Sequence, residues 1–210
     1  MRARRSHHGS VTPDEQRWNH NLHYGTQLMS QLPPRARCVL DAGCGEGTLT
    51  RRLATQVPVA VGLDIDEASL YAAELRGGGP SYVRGDILAP PFRSGSFDAV
   101  LSVATVHHVD ASAALASLAA LVRPDGLLAV VGLARSSLPQ DLPRELAASV
   151  VTRVAKAKYG YWEHPAPKVW PPPQSYSELR ATAEAVLPGA LVRRRLLWRY
   201  VLTWTRPGTG

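Results

Sequence analysis

A chain of 210 residues with 45% hydrophobic and 20% charged residues can bury one full core, which excludes a disordered chain and points to a single domain. No apolar run approaches the ~18 residues of a membrane-crossing helix, and Cys38 and Cys44 are too few for a disulfide framework. The net charge of +7 invites nucleic acid, but Arg2, Arg4 and Arg5 lie in a terminal arm. Arg193, Arg194, Arg195 and Arg199 fall where only alternate residues share a face, so a nucleic-acid partner is not expected.

Residues 1–13 begin MRARRSHH with no apolar segment behind, and read as a disordered basic arm rather than a secretory signal. The cysteine usage fits a reducing cytoplasm. Residues 14–34 carry two short helical stripes, Trp18 with Leu22 and Leu28 with Leu32, before Pro33 and Pro34 punctuate the chain. Their polar and aromatic mixture, with His20, His23 and Tyr24, fits a cover over a ligand or a solvated connecting helix.

The stretch 39–50 (VLDAGCGEGTLT) passes from an apolar run through Asp41 to glycines at 43, 45 and 47, then to helical spacing at Leu49 and Leu53. This is the strand, tight turn and helix of a first βα unit, whose ligands bind at the carboxyl ends of the strands. Thr48 and Thr50 stand where a dinucleotide fingerprint needs its third glycine, and no Gly-Lys-Ser/Thr follows. The pattern D-x-G-x-G-x-G, with Ala42 and Cys44 between, resembles motif I of the class I S-adenosylmethionine-dependent methyltransferases (methyltransferase type 11-like). That resemblance implies an α/β fold: a doubly wound Rossmann-like sheet of seven strands, mostly parallel with an antiparallel seventh, and helices on both faces. It also implies S-adenosyl-L-methionine as cofactor, S-adenosyl-L-homocysteine as product, and 14–34 as a helical lid whose His23 or Tyr24 touches the methionine end. Asp41 would orient the loop or the cofactor's ammonium group, with Gly43, Cys44 and Gly45 against it.

Residues 59–63 (VAVGL) form a buried strand ending on Asp64, followed by Ile65. An acid at this position accepts hydrogen bonds from both ribose hydroxyls, while Asp66 suits the cap of the next helix. A short strand at 81–84 leads to Gly85, Asp86 and Ile87; by the resemblance, Asp86 accepts from the adenine amine and Ile87 packs on the ring. Pro90-Pro91-Phe92 resembles a Pro-Pro-aromatic motif of amine methyltransferases but precedes the fourth strand, and reads as a loop.

Residues 97–103 (FDAVLSV) are that fourth strand. Its small residues Ser102, Val103 and Ala104 would let backbone lie along the methionine portion. His107 and His108 then stand where a substrate proton would be taken, with an unperturbed pKa of about 6.5 suited to a general base, and His107 also beside the substrate. One histidine could instead only pack or cap, and methyl transfer to a neutral nucleophile needs no base. A turn at 122–126 and an apolar strand at 127–133 complete the half-sheet.

Residues 134–175 form an insertion near the substrate side, helical over 142–158 and then aromatic (Tyr159, Tyr161, Trp162, with His164) and proline-rich. Tyr161 and Trp162 could wall a pocket for a flat substrate, or the segment could dock a second copy as a homo-oligomer, or pack on itself. A last helix at 176–187 and strands at 190–197 and 198–205 finish a domain spanning 14–210. The expected acceptor is an O, N or C nucleophile of a small organic molecule, with no metal ligand set visible. The competing readings are RNA or protein methylation, and cofactor binding without transfer.

Overall fold

The computed structural model describes residues 19–135, 142–159, 170–196 and 198–208; the 1–13 arm lies outside them. Apolar runs become β1 (Cys38–Ala42), β2 (Val59–Asp64), β3 (Ser81–Arg84), β4 (Phe97–Val103) and β5 (Val122–Leu133), all parallel. With β6 (Leu191–Arg194) and β7 (Arg199–Thr205) they form one sheet in the order β3-β2-β1-β4-β5-β7-β6. β7 runs antiparallel to both neighbours, Leu202 standing opposite Val130 on one side and Val192 on the other. The chain winds outward from β1 in one direction and from β4 in the other. A crevice therefore opens where their carboxyl ends diverge.

Alternating side chains of each strand feed two cores. On one face Leu40, Val61, Val100, Leu128, Tyr200 and Leu202 pack under α4 (Ala111–Leu121) and α6 (Tyr176–Val186). On the other, Val39, Ala99, Leu101, Ala129 and Val131 meet α1 (His20–Met29) and α2 (Thr48–Ala54). α2 opens at Gly47 with no side-chain bond, but at four other helices a side chain accepts the first free backbone N–H groups, Asn19 doing so at α1. Asp66 caps α3 (Glu67–Leu75), Asp110 caps α4, and Ser175 with Glu178 forms a capping box on α6. No helix among the described residues is long and apolar enough to cross a membrane.

Four expectations change. The two N-terminal stripes are one helix, α1, capped by Asn19, with His20, Tyr24 and Leu28 buried at a spacing of four; Trp18 lies outside the described residues. The Arg-Pro-Asp-Gly turn is absorbed into β5 as a bulge. Its register slips from Phe97↔Val122 to Ala99↔Leu127, with Asp125 at φ 63°. Trp198, at φ 58°, is a turn residue, so β7 starts one residue later than its alternation suggests, and β6 is shorter than 190–197. The alternation along β7 does not separate wet from dry faces: Arg199, Tyr200, Val201 and Leu202 are all buried, because the strand lies inside the sheet.

The segment after β5 leaves and returns at one point, where the Arg135 backbone N–H donates to the Gln174 carbonyl at 2.8 Å. Its helix α5 (Leu142–Tyr159) reaches α1, Thr152 Oγ1 lying 3.4 Å from His20 Nε2.

Gly132 on β5 sits opposite Tyr200, and any Cβ there would collide with the Tyr200 phenol, itself 1% exposed. Gly132→Ala should therefore destabilise the fold by about 1–3 kcal/mol, read as a lower urea midpoint at unchanged slope. An unchanged midpoint would show that this contact is not a constraint.

Candidate functional site

At the carboxyl ends of β1, β2 and β4, closed over by α1, lies a cavity of about 810 Å³. Its floor is the bend after β1. The Gly43 and Cys44 backbone N–H groups both donate to the Leu63 carbonyl, at 2.7 and 3.0 Å, which folds the bend across the end of β2. Gly43 takes φ +77°, and the space a Cβ would fill belongs to the Thr105 side chain. Only glycine satisfies both conditions. The Thr105 hydroxyl lies 3.3 Å from the Gly43 carbonyl, joining the bend to the loop after β4. Ala104 in that loop also has positive φ, 59°, held by its N–H bond to the Val131 carbonyl at 2.7 Å.

Asp64 is oriented from two sides. Its Oδ2 accepts from Gly45 N–H at 2.7 Å and its Oδ1 from Asp66 N–H at 3.0 Å. A carboxylate has about four acceptor sites, so each oxygen keeps one for a ligand hydroxyl. Asp86 is similarly turned by Leu88 N–H on its Oδ1 at 2.9 Å, beside buried Ile87 and exposed Ile65.

Asp41 is 2% exposed and accepts from the Thr50 hydroxyl at 2.7 Å. Burial pushes its pKa up to about 7; the Thr50 bond pulls the other way and the neighbouring Asp64 charge adds to the rise. Burial also raises the Cys44 thiol, which stays protonated. The charged side chains in the described wall, Asp41, Glu46, Asp64, Asp66 and Asp86, are all acidic. Such a wall repels a pyrophosphate and suits a nucleoside bearing positive charge, and the hydroxyl-accepting geometry of Asp64 fits its ribose.

Asp41, Gly43, Cys44, Gly45, Asp64, Ile65, Gly85, Asp86, Ile87, Val103 and Ala104 all line the cavity. Ala42 and Ser102 stand behind it, tied together by the Ser102 hydroxyl donating to the Ala42 carbonyl at 2.9 Å. Tyr24 requires correction: its ring is in the core and its hydroxyl donates to the Leu196 carbonyl at 2.9 Å. His23 points outward from α1, exposed, 3.4 Å from Gln27, and leaves the cavity to Asn21, Leu22 and Gly25 on the opposite side of the helix. Tyr161 and Trp162 lie outside the described residues.

The two histidines separate. His108 lines the cavity and its pKa is lowered by burial. His107 is buried behind it, ring centroids 4.2 Å apart, with no hydrogen bond to Nδ1. Burial first, then His108 and Arg199, push His107 down to about 3. His107 thus stands behind the wall, where burial disfavours its protonated form. Asn21, Leu22, Gly25 and Thr105 carried no motif; an i, i+4 reading of 21 and 25 together would have been the one available signal. Among the described residues no cluster of three or more His, Cys, Asp or Glu could hold a metal ion.

The family model described as "Methyltransferase domain" matches residues 40–130, the half-sheet that carries this cavity. An uncharacterized methyltransferase of Mycobacterium tuberculosis is 41% identical over 196 residues, covering 92% of this chain and 99% of that protein. A malonyl-[acyl-carrier protein] O-methyltransferase of Enterobacter lignolyticus is 39% identical over 116 residues, 54% of this chain and 46% of its own. Among solved structures, the magnesium protoporphyrin IX methyltransferase of Synechocystis PCC 6803, with S-adenosyl-L-homocysteine bound, superposes with a TM-score of 0.57 at 21% identity, over 92% of this chain and 83% of that one. A methyltransferase of Aquifex aeolicus gives 0.60 at 14%, over 86% and 88%. Both structures show the likeness of fold.

Asp41 generates a pH prediction. Its folded pKa of about 7 lies above the usual 3.8, so the neutral carboxyl contributes its stability in full below about pH 4 and loses it as the pH rises through 7. Asp41→Asn, uncharged throughout, should abolish that loss. Urea stability of the variant relative to the unaltered chain should climb between pH 4 and 8, by about 4 kcal/mol at most. Parallel pH profiles would show Asp41 to be ionised at little cost.

Proposed function

We propose that this chain, which belongs to the class I S-adenosylmethionine-dependent methyltransferase family, transfers a methyl group to an O, N or C nucleophile of a small organic molecule. The observation that carries the cofactor reading is Asp64. It is a carboxylate fixed by two backbone N–H groups, with one acceptor site left on each oxygen, in a wall whose charged side chains are acidic. When bound, S-adenosyl-L-methionine supplies a methyl group already activated by its sulfonium.

The residues divide the remaining work. Asp64 accepts from the ribose hydroxyls, and Asp86 from the adenine amine, with Ile65 and Ile87 against the ring. Asp41, Gly43, Cys44 and Gly45 meet the methionine end, where an ionised Asp41 offsets positive charge. Leu22, Leu49 and Val103 form apolar wall that excludes water from the reacting centre. His108, neutral and in the wall, is the group placed to take a proton from an acceptor that must lose one. His107 supports its ring from behind.

Two findings favour a small acceptor over RNA or a folded protein. The cavity, at about 810 Å³, is of the size of small-molecule sites and is covered by α1. Its charged wall is acidic, opposite in sign to a phosphate-binding groove. The malonyl-[acyl-carrier protein] and ubiquinone biosynthesis O-methyltransferases among the relatives support an organic acceptor by name. The two free cysteines support a reducing cytoplasm as the setting.

Calorimetry with S-adenosyl-L-homocysteine tests the cofactor reading. Asp64→Ala should weaken binding about 100-fold, the loss of two hydrogen bonds to a charged group; equal affinities would remove the reading. For the acceptor side, turnover to S-adenosyl-L-homocysteine is measured across a panel of phenols, amines and carboxylic acids. With any acceptor that turns over by losing a proton, His108→Gln should lower kcat about 100-fold and His107→Gln much less. The reverse order would make His107 the base.

A further inference from the structure

The wall of the cavity is acidic wherever it is charged, yet one of its residues is set up as a donor. Asn21, in the first turn of α1, lines the cavity and touches the buried side chain of Arg199 at the start of β7. Arg199 Nε and Nη2 both donate to Asn21 Oδ1, at 3.2 and 2.8 Å. A guanidinium has only donors, so it is the amide oxygen, not the NH2 group, that faces it. The planar amide then turns Nδ2 the other way, and Nδ2 makes no hydrogen bond among the described residues. Two N–H groups, polarised by the cation behind them, are left at the surface of a ligand cavity.

We propose that Asn21, locked by Arg199, is a carboxylate-recognition site: Nδ2 binds a carboxylate oxygen of the bound ligand at the end of the cavity away from Asp64 and Asp86. This rests on the cofactor reading above and deepens it. Arg199 is a positioning residue, acting through Asn21. A carboxylate is the chemistry that fits, because a donor polarised by a cation rewards an anionic oxygen, and the charged wall residues, being acidic, offer it no other partner. Two sources could bring it: the methionine tail of the cofactor, or an acid group on the methyl acceptor.

Asn21→Asp is the discriminating variant. It keeps an oxygen for Arg199, so the anchor survives, and removes the N–H donors. Calorimetry compares S-adenosyl-L-homocysteine with 5′-methylthioadenosine, the same nucleoside lacking the amino-acid tail. If the tail supplies the carboxylate, the variant binds S-adenosyl-L-homocysteine about tenfold or more weakly, while 5′-methylthioadenosine, which also reports an intact fold, changes less than about twofold. If the acceptor supplies it, both nucleosides bind unchanged. Benzoate then binds the complex saturated with S-adenosyl-L-homocysteine, benzamide does not, and Asn21→Asp abolishes the benzoate signal in ligand-observed NMR. Unchanged nucleoside binding with no Asn21-dependent benzoate signal overturns the proposal. So does equal weakening of both nucleosides, which would make Asn21 a general support of the site. Failure of both nucleosides to bind the unaltered chain would instead sink the cofactor reading itself.

Discussion

The hydrogen bond from the Gly45 backbone N–H to the Asp64 carboxylate ties the bend after β1 to the acid at the end of β2. The bend after β1 has no regular structure of its own, and its position is set by what it touches at the end of β2. The Leu63 carbonyl takes two of its N–H groups and Asp64 takes a third. These bonds are short and partly shielded from water, so the bend is preorganised before any ligand arrives. The same bond orients Asp64, and one contact therefore serves the floor of the cavity and the carboxylate beside it together.

Charge in the site is arranged by distance from water. Asp64 and Asp86 stand at the mouth, oriented by backbone donors. Asp41 is buried, Thr50 donates to it, and burial pushes its pKa up to about 7. Arg199 does not line the wall and meets it through the amide of Asn21.

The histidine pair shows how burial sorts neighbours in sequence. His107 and His108 are consecutive in a one-turn 3-10 helix, where successive side chains diverge by about a third of a turn. One faces the cavity and the other the core, next to Arg199, whose charge adds to burial in keeping His107 unprotonated.

Much of this was legible from local pattern alone. The continuous apolar runs at β1, β2 and β4, each ending on or near an acid or small residue, specified parallel strands and the edge at which ligands bind, because a strand buried on both faces has no polar positions to show. The D-x-G-x-G-x-G bend, Asp64 and Asp86 followed from strand ends, whose position a one-dimensional pattern does mark. Tyr24, His23 and Asn21 did not follow. All three lie on α1, where a rotation of about 100° per residue decides what each one faces, and that rotation is set by the packing of Leu28 and Gly25 against other parts of the chain. The contact between Asn21 and Arg199 spans 178 positions, and the inside strand β7 is buried on both faces despite its clean alternation. Sequence determined the secondary elements and the strand-end chemistry, since those depend on neighbours along the chain. Only the tertiary structure decided which side chains of α1 and of the histidine turn enter the cavity, since that depends on what packs behind them.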